Sequence, residues 1–181
     1  MGYTHYWRRP RKNAGSAYMF GKLALDAKKI IQQAEREGIR IRDAYGEGEP
    51  EFNEARFALN GDSLGTRTEA GGALAPNDLA HESFIWEGIP SISEWRKDEP
   101  STFDFCKTAY KPYDAVVTAI LIRAKHIYGS CVSISSDGNW ESNPNFPDGY
   151  GSWQTGRELY ERVFGEVAEY PFTLTTSFEQ R

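Results

Sequence analysis

Apolar residues return at helical spacing over long stretches and alternate with polar ones over short stretches, and that contrast divides the chain into elements. Phe20, Leu23, Ala24, Ala27, Ile30, Ile31 and Ala34 recur every three or four positions, which is the stripe of an amphipathic helix. That helix is predicted from about Ser16 to Glu37, with Gly38 as its stop. Val116, Val117, Ile120, Ala124 and Ile127 predict a second helix, from Pro112 to Tyr128, closed by Gly129. Ser152 is read as the N-cap of a third, whose apolar side is Leu159, Tyr160, Val163 and Phe164. The opening "YTHYWRR" alternates: Tyr3, His5 and Trp7 share one face, and Thr4, Tyr6 and Arg8 share the other. "IRIR", "ARFALNG", "ESFIWEG" and "CVSISS" are read as further strands, and the tail "YPFTLTTSF" as one more.

"YGEGEPEF" is turn material, and residues 88 to 102 are read as irregular. Residues 62 to 80 are rich in glycine and alanine and are read as a flexible hairpin insertion. Hairpin-like strands bracketed by helices predict an α+β chain. The expectation is a single globular domain over residues 1 to 181. Its sheet would be mixed or mainly antiparallel, with about three helices packed mainly on one face.

Composition narrows the picture. The chain has 181 residues, 39% of them hydrophobic and 26% charged, enough to bury a core. A net charge of −5 argues against an extended nucleic-acid surface, although Arg8, Arg9, Arg11 and Lys12 form a local basic cluster. The two cysteines, Cys106 and Cys131, are too few for a disulfide framework and predict reduced thiols in a cytoplasmic setting. Cys131 is expected to be buried in its strand. No signal-peptide run and no stretch of membrane-spanning length are present, so no membrane partner is expected. The sequence leaves a homo-oligomer open.

Chemistry concentrates in three blocks. "FDFCKTAYKPYD", residues 103 to 114, sets Lys107, Tyr110, Lys111 and Tyr113 ahead of the second helix. Pro112 and Asp114 suit a plain helix start. The lysines do not, because cations are mildly unfavourable there. Together with free backbone amides they would hold an anion. In "GYTHYWRR", Tyr3, His5, Trp7 and Arg8 have the make-up of an aromatic, basic ligand surface, and equally of an ordinary sheet. In "SSDG", Ser135, Ser136 and Asp137 would bind a ribose or phosphate, or simply form an Asp-Gly turn. "LNGD", residues 59 to 62, has the same two readings. Phosphate-loop, dinucleotide, zinc-protease and nucleophile-elbow motifs are missing. The three histidines, His5, His81 and His126, never pair at metal spacing, so no metal or cofactor is expected.

These blocks in this order, "GYTHYW", "ALNGD", "FDFCKTAYKPYD" and "SSDG", resemble an uncharacterised family of small phage-, prophage- and bacteria-associated proteins. The resemblance spans about residues 2 to 138, with a longer glycine-rich stretch at 62 to 80 than the family would have. It implies a phage-like setting, with the host cytoplasm as location, and no particular activity. The reading favoured is binding or sequestration of a small anionic ligand, most readily a nucleotide or nucleotide-derived signal, in phage counter-defence. The alternative is a hydrolase or transferase on a nucleotide-like substrate, with His5 as general acid or base and Asp137 assisting. A third class is a protein inhibitor of a host factor, acting through Ile89, Ile92 and Trp95.

Overall fold

In the computed structural model, residues 3–64, 79–91, 97–142 and 151–173 are described. The opening segment forms β1 (Thr4–Pro10), followed by a short 3-10 turn and α1 (Ala17–Arg36). Ser16 caps α1 by accepting from the Met19 amide. Then come β2 (Ile41–Arg42), β3 (Glu51–Phe52), β4 (Arg56–Gly61), β5 (Phe84–Glu87) and β6 (Ser101–Lys107). α2 (Asp114–Tyr128), β7 (Ser133–Ser136) and α3 (Gln154–Phe164) complete the described elements.

The strands form two antiparallel sheets, so the α+β expectation holds. β1 is central in one sheet, flanked by β6 and β7. It pairs His5 with Cys106 and with Ser136, and Tyr6 with Phe105 and with Ser135. β4 organises the other sheet and pairs with β2, β3 and β5. The two sheets meet through aromatic side chains. Trp7 packs against Phe84 and Trp86, with ring centroids 5.1 and 5.9 Å apart. Phe57 carries the contact on to Phe20 of α1.

α2 lies against both α1 and α3. Every residue from Asp114 to Ala124 is buried, so the single apolar stripe read from the sequence is corrected to burial all round. Ile127, assigned to that stripe, is only partly buried. Gly156 permits the close approach of α3, because a Cβ there would overlap the Thr118 side chain of α2. Arg123 of α2 binds Asp26 of α1 at 2.8 Å, stacks over Phe164 at 4.2 Å and reaches the Tyr160 hydroxyl at 3.4 Å. One buried guanidinium thus ties three helices together.

Other expectations change. β6 falls on residues read as irregular at Ser101–Thr102 and left unassigned beyond. β3 falls in a stretch read as turn. Cys106, not Cys131, is the fully buried cysteine. Cys131 is partly exposed, in the 3-10 turn before β7, and both thiols are free. Ser152 lies one residue before the α3 cap and accepts from the Gln154 amide at 3.4 Å. The tail makes only a bridge from Phe172 to Ile134 within the described residues. Most of the glycine-rich insertion, residues 65 to 78, lies outside the described residues, as do Ile92 and Trp95. The Leu79 amide donates to the Asp62 carbonyl, which closes the base of that insertion.

Candidate functional site

The three blocks converge at one end of the β1 sheet. β1 begins there, β7 ends there, and the loop from β6 into α2 crosses over it. The amides of Thr108 and Ala109 both donate to the Tyr3 carbonyl, and the Asp137 amide donates to Thr4. The Asp137 carboxylate in turn accepts from the Thr4 amide at 3.0 Å and from the Tyr6 hydroxyl at 3.2 Å.

His5 stands at the centre and is fully buried. Its Nε2 lies 2.7 Å from Asp114 Oδ1 and its Nδ1 lies 2.9 Å from Ser136 Oγ. The neighbours place the protons. Ser136 Oγ also accepts from the Gly138 amide at 2.9 Å and from Trp153 Nε1 at 3.1 Å. A hydroxyl has two lone pairs, so with both occupied its own proton goes to His5 Nδ1. Nε2 then carries the ring proton and donates to Asp114. The Thr108 hydroxyl donates to the same carboxylate oxygen. Asp114, His5 and Ser136 thus form a continuous relay, braced by Thr108 below and Trp153 above.

Around this relay the aromatic rings interlock. Tyr3 and Trp153 meet the His5 ring edge-on at 5.0 and 5.2 Å. Tyr3 stacks on Tyr110 at 4.2 Å, the rings 23° from parallel. Burial, with Asp114 nearby, pushes the Tyr3 phenol up, so it stays protonated. Gly138 of "SSDG" has a packing role: a Cβ there would overlap the Tyr3 hydroxyl. The loop that brings Tyr110 into the stack holds two consecutive left-handed residues that are not glycine, Ala109 at φ 50° and Tyr110 at φ 62°. Such residues cost of order 1 kcal/mol each and persist only where their surroundings hold them.

Several sequence-derived site residues take other roles. Trp7 fills the junction between the sheets and is 1% exposed. Tyr113 is equally buried and donates to the Glu82 carbonyl at 2.7 Å. Both are packed into the core. The free amides expected at the helix start are also absent. The Asp114, Ala115 and Val116 amides donate to the carbonyls of Lys111, Pro112 and Tyr113, so any anion here is left to side chains. Lys107 and Lys111 flank the Thr108–Tyr110 turn. Arg8, on the opposite face of β1 from His5, lies over Phe103 at 4.5 Å. Ser135 is exposed beside Tyr6. In "LNGD", Asn60 bonds the backbone of His81 in both directions, and Asp62 lies near Arg40 and Arg42. Both hold the ends of the insertion.

Of the relay, the sequence singles out His5 and Ser136 as candidate site residues, but it marks Asp114 only as a helix-start carboxylate and does not single out Trp153. The pairing of His5 with Ser136 and Asp114 depends on strand order, which no local pattern reveals. Among the described residues there is no cluster of three or more His, Cys, Asp or Glu positioned to hold a metal ion. No helix among them is long and apolar enough to cross a membrane.

Taken together, the chain is an α+β protein with two antiparallel sheets and a buried carboxylate–imidazole–hydroxyl relay at one sheet end. No family model, no curated protein and no solved structure matches it.

Proposed function

We propose that the protein binds a small anionic ligand, most readily a nucleotide or nucleotide-derived signal, at the end of the β1 sheet. The observation that supports this is the left-handed pair Ala109–Tyr110. It lies between Lys107 and Lys111, and it holds Tyr110 stacked on Tyr3 beside Asp137. Strain of this kind collects at ligand clamps. The loop offers an aromatic ring with two ammonium groups in the same short turn. The buried relay acts as a scaffold: Asp114 grips β1 through His5, and His5 grips β7 through Ser136, so the loop and both strands keep their positions. In a phage-like setting such a protein would sequester a nucleotide signal used in host defence.

A second reading is hydrolysis or group transfer on a nucleotide-like substrate, favoured by the relay itself. Its hydrogen-bond order, carboxylate to imidazole to hydroxyl, is that of an oriented general base. His5 would be the base, oriented by Asp114 rather than by Asp137. The Ser136 hydroxyl has every lone pair occupied, which favours the binding reading over this one.

The test is a thermal-shift series of nucleotides, with mass spectrometry of small molecules released on denaturing the purified protein. A binder gains melting temperature and returns its ligand unchanged, whereas an enzyme converts it. Lys111→Ala should weaken nucleotide affinity about tenfold to a hundredfold, as for loss of one charge-assisted contact. Unaltered affinity in Lys111→Ala would remove the loop from the site.

A further inference from the structure

His81, just ahead of β5, is exposed and yet held at its amide, its carbonyl and its ring. The amide donates to Asn60 Oδ1 at 3.1 Å, and the carbonyl accepts from Asn60 Nδ2 at 2.9 Å. Asn60 is itself buried, so this clamp is anchored in the fold. The ring is fixed by Nδ1, which lies 2.8 Å from the Lys107 carbonyl oxygen. A carbonyl oxygen only accepts, so Nδ1 carries the proton, and in the neutral ring Nε2 keeps its lone pair. That lone pair has no hydrogen-bond partner among the described residues. An exposed histidine ordinarily turns freely and loses that freedom when it binds something. Here backbone and ring are fixed beforehand, so Nε2 is a preorganised acceptor.

Its position ties it to the proposed ligand site. Lys107 ends β6 and opens the Thr108–Tyr110 turn, and at most about 10 Å of chain separates it from Tyr110. The Glu82 carboxylate lies here too, accepting from the Lys107 amide at 2.9 Å. A carboxylate beside an imidazole lone pair suits hydrogen-bond donors and disfavours a phosphate. We propose that His81 is a specificity-determining contact of this site, its Nε2 accepting from a neutral O–H or N–H of the nucleoside, either a ribose hydroxyl or an exocyclic amine. The phosphate then falls toward Lys111, at the other end of the turn. The inference rests on the proposed function and adds a polarity to its ligand, with donors at the His81 end and the anion at the Lys111 end. A site that takes a hydrogen bond from its ligand discriminates against the analogue that lacks the donor.

The test is titration calorimetry of the full chain with AMP, 2′-deoxyAMP and purine riboside 5′-monophosphate, which lacks the amino group. Two variants separate the ring nitrogens. His81→Asn imitates Nδ1 and can still donate to the Lys107 carbonyl. His81→Gln imitates Nε2 and can still accept from a ligand. AMP should bind about tenfold more weakly to His81→Asn and nearly as the parent does to His81→Gln. One analogue should bind the parent about tenfold more weakly than AMP, and that gap should close in His81→Asn. A gap with 2′-deoxyAMP identifies the ribose hydroxyl, and a gap with the purine riboside identifies the amine. AMP affinity lost in His81→Gln but kept in His81→Asn would make His81 a brace for Lys107 and overturn the inference. So would a gap that persists in His81→Asn, or a parent that binds all three nucleotides alike. If the parent binds none of the three, this inference falls. The proposed function falls with it only when the wider nucleotide series also gives no thermal shift.

Discussion

α2 carries a buried polar cluster near each end, and the two are built differently. Toward its C-terminal half, Arg123 meets Asp26, with Lys29 closing the other carboxylate oxygen at 2.7 Å. Its surroundings are helices, and Tyr160 and Phe164 complete the packing. At its start, Asp114 meets His5, and the chain of bonds continues to Ser136 and Trp153. Its surroundings are a strand end, a strained loop and a rim of lysine, tyrosine and aspartate side chains. Both clusters satisfy buried groups, yet only the second lies beneath features that a helical junction does not need. Buried polarity alone therefore marks nothing. What distinguishes a candidate site is buried polarity that supports a strained, chemically varied surface.

The contrast can be broken most strongly at Arg123. Removing it as Arg123→Ala leaves Asp26 buried with only Lys29, an exposed partner, and should cost about 3 kcal/mol in urea denaturation. Nucleotide affinity should not move. Replacing the pair with apolar residues, Asp26→Leu with Arg123→Met, should recover most of that loss, since a buried pair adds little over good packing. A lasting fall in ligand affinity in that double variant would show that the two clusters are coupled.

Asp114→Ala comes next. It strands the His5 Nε2 proton and the Thr108 hydroxyl, at a cost of roughly 2 to 3 kcal/mol. Here ligand affinity should fall with stability, because the loop loses its hold on β1. If affinity measured well below the melting temperature stays at the parent value, the relay is only a structural brace. Gly138→Ala should cost about 1 to 3 kcal/mol, because Tyr3 must shift. It should also loosen the Tyr3–Tyr110 stack, readable as a change in near-ultraviolet circular dichroism. The same change at Gly38, where a Cβ would have open space, should leave that signal untouched despite the positive φ.

The smallest effect is in acid. Burial raises the Asp26 carboxyl, but hydrogen bonds from Lys29 and Arg123 outweigh it and hold the group below the ordinary aspartate value. A carboxyl lowered in the folded state adds stability above its unfolded pKa, about 3.9, and loses it as pH falls through the folded value. Denaturation midpoints should therefore decline below about pH 4. The decline should be shallower in Arg123→Ala, which has less of that contribution to lose. An identical acid profile in parent and variant would remove Asp26 from the account.

Much of the fold was legible locally. The stripes of α1 and α3, the alternation of β1, the short apolar run of β4 and the caps at Ser16 and Gly129 are short-range features, because periodicity and backbone preference act within a few residues. β6 escaped because its apolar rings face outward and its inward positions are Thr102, Asp104 and Cys106, which reverses the usual signal. The composition of the site, with its histidine, tyrosines, lysines and "SSDG", could be read from the chain. Its arrangement could not. Tertiary structure alone decided that β1 pairs with both β6 and β7, which brings His5 between Ser136 and Asp114, residues more than a hundred positions away. It also took Trp7 and Tyr113 into the core and consumed the helix-start amides in a preceding turn. Pairing across such distances is selected by the packing of whole faces, and no window of sequence contains both partners.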